Sequence, residues 1–125
     1  MRQTVTPYLL YEDAGAAIEW LSKAFGFGEK DRFEHEGRVA HAELDVGDGS
    51  TIFLGGPGGD YRNPKAAGRT SFVYVYVPDA DEHCARAMEA GAVIVEEPSD
   101  QPYGDRRYAA EDPEGHVWYF ATPLA

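Results

Sequence analysis

Two stretches of the chain carry apolar residues at helical spacing. In AGAAIEWLSKAF, after Asp13, the apolar positions are Ala17, Ile18, Leu21, Ala24 and Phe25. In ADEHCARAMEA, after Asp79, they are Ala80, Cys84, Ala87 and Met88. Each stretch starts on an aspartate that can cap free backbone N–H groups and stops at a glycine, Gly26 or Gly91. Glu82, three residues after Asp79, completes a capping-box spacing. Both stretches are therefore predicted to be helices.

The remaining apolar runs read as strands, rich in the branched and aromatic residues that fit a pleated surface. A strand is predicted before each helix, at Thr6 to Tyr11 and Ser71 to Val77. Three follow the first helix, at Lys30 to Glu36, Val39 to Val46 and Thr51 to Leu54. Three follow the second, at Val93 to Glu96, Arg107 to Glu111 and His116 to Ala121.

The halves superimpose at an offset of about 66 residues. Asp13 falls on Asp79, Gly49 on Gly115 and Pro57 on Pro123. One strand-helix-strand-strand-strand module is thus used twice in a single α+β domain spanning 1–125: module 1 over 1–57, a linker over 58–69 and module 2 over 70–125. The joining stretch from Gly55 to Thr70 is rich in Gly and Pro and carries Arg62, Lys65 and Arg69. Its composition predicts a mobile linker able to serve as a lid.

Composition narrows the class. A chain of 125 residues, 43% hydrophobic and 13% aromatic, has enough apolar material for one folded core. No apolar run reaches the roughly 18 residues of a membrane span, and MRQTVTPYLL lacks the apolar core of a signal peptide. Cys84 is the only cysteine, which excludes an internal disulfide and fits a reducing cytoplasm. On its helical stripe it reads as a small core residue. Eleven basic against 22 acidic residues give a net charge of -11, which disfavours nucleic acid and anionic membranes as partners and favours neutral or cationic small molecules.

Candidate chemistry is concentrated in GDRRYAAEDPEGHVWYF. Asp105, Tyr108, Glu111, Asp112, His116 and Tyr119 can each hold a metal or move a proton. Asp112-Pro113-Glu114-Gly115 reads as the turn between two strands, with His116 placed to hydrogen-bond it. The third strand, RVAHAELDV, alternates: Val39, His41, Glu43 and Asp45 share one side, Arg38, Ala40, Ala42 and Leu44 the other. Packing the smaller, more apolar set on the helix turns His41 and Glu43 toward the opposite face.

The βαβββ pair, with VTPYLLYEDAGAAIEWLSKAFG, RVAHAEL and YGDRRYAAEDPEGHVWYFAT, resembles the vicinal oxygen chelate superfamily of glyoxalases, bleomycin-resistance proteins and dioxygenases, and most of all its PhnB-like, bleomycin-resistance-like branch. The resemblance implies the glyoxalase/bleomycin-resistance fold, in which the two modules form a curved mixed sheet around a cavity, and a homodimer. It also implies metal ligands on the first and last strands of each module. Those positions are Thr6, Phe53, Phe72 and Tyr119, two of them phenyl rings without a donor atom. The expected cofactor is therefore none.

Positions of the same parity as these four are expected to line the cavity: Thr6, Tyr8, Leu10, Thr51, Phe53, Phe72, Tyr74, Tyr76, Val117 and Tyr119. The other parity, with Leu9, Ile52, Leu54, Val73, Val75, Val77, Trp118 and Phe120, belongs to the helix side. The family pattern turns Arg107, Ala109 and Glu111 inward as well.

Two functions follow as alternatives. One is metal-independent capture of a small aromatic or cationic organic molecule, with Tyr8, Phe53, Phe72, Tyr74, Tyr76, Arg107 and Tyr119 as the binding set. The other is a glyoxalase/lyase-type or dioxygenase-type enzyme using His41, Glu43 and Glu111 as its catalytic set. The bland counterparts are a tyrosine-filled dimer interface and a polar network that only anchors the sheet. A metal held by His41, Glu43 and Glu111 is disfavoured, because strand neighbours two apart do not readily chelate together.

Overall fold

The computed structural model describes residues 2–125. The elements are β1 (Tyr8–Leu10), α1 (Ala14–Phe25), β2 (Gly28–His35), β3 (Arg38–Gly47), β4 (Ser50–Gly55), α2 (Pro64–Ala67), β5 (Val73–Tyr76), α3 (Ala80–Glu89), β6 (Val93–Asp100), β7 (Asp105–Glu111) and β8 (Val117–Pro123). The two predicted helices form where their caps place them. The Asp13 carboxylate accepts from Ala16 N–H at 3.0 Å and that of Asp79 from Glu82 N–H at 3.1 Å. Gly26 ends α1 at a φ of 78°, a left-handed conformation open to glycine at no steric cost.

The strands form two four-stranded mixed sheets, ordered β1-β4-β3-β2 and β5-β8-β7-β6. Their registers repeat. Tyr8 faces Phe53 across a parallel pair, and at the same offset Tyr74 faces Tyr119. Ala42 faces Leu54 and Tyr108 faces Phe120. The module is thus reproduced residue for residue through these strands. β1 and β5 form shorter ladders than expected, although Phe53 N–H still reaches Pro7 O, and Tyr11 N–H reaches Gly55 O, at 2.9 Å each.

Helices and sheets share one core. Leu44, Ile52 and Leu54 from the first sheet and Tyr108, Trp118 and Phe120 from the second are fully buried, as the expected helix-side parity requires. Phe25, the last residue of α1, and Phe27, just beyond its cap, lie 4.7 Å from Phe120 and 5.3 Å from Trp118, so the core crosses the module boundary. Each such ring contributes roughly 1.5–3 kcal/mol through burial. Cys84 is buried on α3, and burial raises its thiol pKa, so it is a core residue. Met88 departs from its expected place on the apolar stripe. It is 56% exposed, because α3 is short and presents only Ala80, Cys84 and Ala87 to the core.

His83 bolts the modules together. Its Nε2–H donates to the carbonyl of Phe25 at 2.9 Å, which leaves Nδ1 to accept from the Tyr108 hydroxyl at 2.5 Å. Burial lowers the His83 pKa and keeps the ring neutral, in agreement with those two roles. On the opposite side the β7–β8 turn clasps module 1. Glu114 accepts from the backbone N–H groups of Glu12 and Asp13 at 2.6 and 2.9 Å. The backbone N–H of His116 donates to Asp112 Oδ1 at 3.1 Å, as expected for its own turn, and its ring Nε2 donates to the Leu10 carbonyl at 2.8 Å, so this histidine also ties one module to the other.

The segment expected as a mobile linker is docked. It contains the one-turn α2, capped by Asn63. Lys65 N–H reaches Glu114 O at 3.1 Å, Arg69 reaches Gly115 O at 3.2 Å and the Tyr61 hydroxyl reaches Leu10 O at 2.7 Å. Gly115 permits this approach. A Cβ there would stand 2.5 Å from the Lys65 nitrogen.

Candidate functional site

β1 and β5 are edge strands of the two sheets, and the helices cover only one side. The other side is a cleft of about 550 Å³ lined by Tyr8, Leu10, Tyr61, Phe72, Tyr74 and His116. A second cleft, of about 340 Å³, continues past Val73 and Tyr74 to Tyr76 and Thr51. Both volumes lie within the range of small-molecule sites. Of the positions expected to face the cavity, Tyr8, Leu10, Phe72, Tyr74 and Val117 line the first cleft and Thr51, Tyr74 and Tyr76 the second, while Thr6, Phe53 and Tyr119 line neither. Several of the rings remain open to solvent in a single chain: Tyr8 is 52% exposed, Phe72 59% and Tyr76 58%.

The module 1 half holds a directed relay. Glu43 accepts from Arg2 at 3.1 Å and faces His41 Nε2 at 3.4 Å. A carboxylate accepts only, so Nε2 carries the proton and Nδ1 accepts from the Tyr8 hydroxyl at 2.7 Å. Burial opposes the charge on Glu43, but hydrogen bonds from Arg2 and His41 outweigh it and hold the carboxyl below its ordinary range. Phe53 packs edge-on against Tyr8 and His41, at 5.5 and 4.9 Å between ring centres. Hydroxyl, imidazole and carboxylate are thus aligned to move a proton.

The module 2 half is organised around Asp105, which is only 5% exposed. The hydroxyls of Tyr74 and Tyr76 both donate to its Oδ2, at 2.7 and 2.8 Å. Arg107 donates to the Tyr103 hydroxyl at 2.7 Å, and that hydroxyl lies 3.2 Å from Tyr74. Burial, with the contacts to Tyr103 and Asp105, pushes the Tyr74 pKa far above the phenol range; the hydrogen bond to Asp105, then burial, raises that of Tyr76. Arg107 also pairs with Glu96 at 2.8 Å and covers the Tyr119 ring at 5.0 Å. Phe72 packs against that ring at 5.2 Å.

The structure brings His41 and Glu43 together and places Glu111 elsewhere. Glu111 lies on the second sheet with Arg69 3.8 Å away. Tyr103 escaped the sequence reading, and Asp105 entered it only as one of six groups able to hold a metal or move a proton, not as a member of the binding set. Asp105 shares the alternation of Arg107 and Glu111 along β7, a signal that could have found it. Tyr103 lies in a turn where no periodicity points to it.

The chelating positions of the family do not fit a metal here. Phe53 and Phe72 offer rings where donors are required, and Tyr119 is held by Arg107. Among the described residues no three His, Cys, Asp or Glu side chains cluster as a metal site.

Twin βαβββ modules with mixed sheets around an aromatic cleft define the glyoxalase/bleomycin-resistance fold. The chain belongs to the Glyoxalase/Bleomycin resistance protein/Dioxygenase superfamily, whose profile matches residues 4–120. It is similar to TioX from Micromonospora sp. ML1, at 38% identity and a TM-score of 0.79, over 98% of this chain and 100% of that one. It is also similar to the uncharacterized protein Mb0911c of Mycobacterium bovis, 34% identical over 127 residues, covering 96% of this chain and 83% of that protein. A superfamily member from Nocardioides, at 22% identity and a TM-score of 0.70 over 99% of this chain and 85% of that one, shares the fold. No helix is long and apolar enough to cross a membrane among the described residues.

Proposed function

We propose that the protein binds a small planar or cationic organic molecule without a resident metal, in the manner of a bleomycin-resistance-like sequestering protein of the PhnB-like branch. The observation that carries this reading is the exposed aromatic wall of the β1–β5 cleft. Tyr8, Phe72 and Tyr74 present three aromatic rings, two of them carrying hydroxyls, around about 550 Å³ of open space. Such rings bury against a flat guest while hydroxyls orient it. The net charge of -11 favours a cationic guest. A second copy of the chain laid over the open sheet faces would enclose the cleft, so the reading includes a homodimer. Isothermal titration against bleomycin and a panel of cationic planar heterocycles tests it. Saturable binding near one guest per chain is expected, and an absence of heat across the panel overturns the reading.

A second reading, a lyase- or isomerase-type enzyme, is favoured by one observation, the Tyr8–His41–Glu43 relay. It predicts consumption of the hemithioacetal of methylglyoxal and a small thiol, lost in His41→Gln. Absence of turnover by the unaltered protein removes it for that substrate class.

A further inference from the structure

The hydroxyl protons of the module 2 wall all run one way. Tyr74 and Tyr76 each possess one hydroxyl proton, and each points it at Asp105 Oδ2, at 2.7 and 2.8 Å. With its proton committed, Tyr74 can only accept from Tyr103, 3.2 Å away. The Tyr103 proton is therefore committed too, and its oxygen accepts from Arg107 at 2.7 Å. The chain of donors is Arg107 to Tyr103 to Tyr74 to Asp105, with Tyr76 joining at the same oxygen. What these three phenols retain for a guest is lone pairs alone. Tyr76, at 58% exposure, and Tyr74, at 40%, line the clefts.

We propose that this phenol array selects guests by their hydrogen-bond donors, so that the ligand class is an amino-substituted, cationic planar heterocycle whose N–H groups meet Tyr76 and Tyr74. This rests on the binding reading above and deepens it. A guest offering only acceptors would set lone pair against lone pair at a partly desolvated site, or would require a phenol to leave the buried carboxylate. A guest with N–H groups completes the oxygens' hydrogen bonding and lies next to the negative charge of Asp105, whose hydrogen bonds come from neutral phenols. The face of Tyr119 covered by Arg107 is already taken, so the positive charge of the guest belongs at the Tyr74–Tyr76 end.

Two dyes with one ring system test this. Proflavine carries two NH₂ groups on a cationic acridine; acridine orange carries the same ring and charge with both groups dimethylated. Hydrophobicity alone favours acridine orange. Donor selection predicts that proflavine binds about tenfold more tightly, by fluorescence titration. Asp105→Asn keeps the shape but supplies its own N–H donor, which frees a phenol proton to turn outward, and the preference is expected to shrink toward unity. Tyr76→Phe, which leaves Tyr74 on Asp105, is expected to reduce it as well, with circular dichroism confirming that both variants fold. Equal binding of the two dyes by the unaltered protein overturns donor selection and leaves the binding reading standing. A proflavine preference that survives both substitutions also overturns it, because steric exclusion of the methyl groups would do the same. Binding of neither dye overturns donor selection, while the binding reading stands or falls on the titration with bleomycin and the wider panel.

Discussion

The Tyr11 hydroxyl donates a 2.6 Å hydrogen bond to Asp112, which lies in the other module. Both residues are buried, and Asp112 also accepts from the Trp118 indole at 3.1 Å and from the N–H groups of Glu114 and His116. Burial first, and then the charge of Asp112, raise the Tyr11 pKa, so the phenol stays a donor. The Asp-Pro-x-Gly turn therefore holds the modules together through a fully satisfied buried carboxylate.

Removal of that carboxylate strands several donors at once. Asp112→Ala is expected to lower unfolding free energy by about 3 kcal/mol or more, against about 1–2 kcal/mol for Tyr11→Phe, which leaves Asp112 its other partners. Urea denaturation of the two variants measures the difference. Equal effects would show that the carboxylate acts only through Tyr11.

His83 makes stability depend on pH near neutrality. Its folded-state pKa lies below the ordinary 6.5, so the unfolded chain takes up the proton first as pH falls. The contribution is complete above about pH 6.5 and is lost as pH falls toward the folded value. Phe25 O, Tyr108 and Arg86 surround the ring, and none stabilises the imidazolium enough to reverse the sign. The carboxylates lowered by arginine partners, such as Asp81 and Glu29, act only at lower pH, from their ordinary 3.8 and 4.5 downward. Denaturation midpoints between pH 7.5 and about 5.5 are expected to fall for the unaltered protein and to flatten in His83→Gln.

Gly115 controls the docking of the 58–69 segment. At a φ of 94° and with Lys65 backbone 2.5 Å from any added Cβ, Gly115→Ala must displace α2 or the turn. A cost of about 2 kcal/mol is expected. Limited trypsin digestion should then cut at Arg62, Lys65 or Arg69 faster than in the unaltered protein. Unchanged cleavage would mean that the segment does not depend on this contact.

Phe72→Ala removes a ring from the cleft that the core does not use. Bleomycin affinity is expected to drop about tenfold while unfolding stability changes little. Met88→Ala, on the exposed side of α3, serves as the control and should leave affinity unchanged. Calorimetric titration reads both.

Much of the site was legible as faces. Alternation along β3 placed His41 and Glu43 on one side, and they lie there 3.4 Å apart. Alternation along β5 and β8 separated Tyr74, Tyr76 and Tyr119 from Val75, Trp118 and Phe120, and burial follows that division. Glu111 was expected beside His41 and Glu43 and instead met Arg69, because parity fixes a face and not a neighbour. Asp105 was visible as a titratable residue, but its two phenol donors come from β5, about 30 residues earlier in the chain.

The sequence by itself determined the repeated module, its two capped helices, the sorting of side chains between faces and the absence of donors at Phe53 and Phe72. These are local properties: caps, alternation and the chemistry of single side chains act within a few residues. Tertiary structure alone decided that His83 and Asp112 join the modules, that the Gly- and Pro-rich segment is held at Gly115, and that two phenols donate to one buried carboxylate. Those features depend on distances between segments far apart in the chain, which no local pattern encodes and which only the packing of two sheets on a shared core sets.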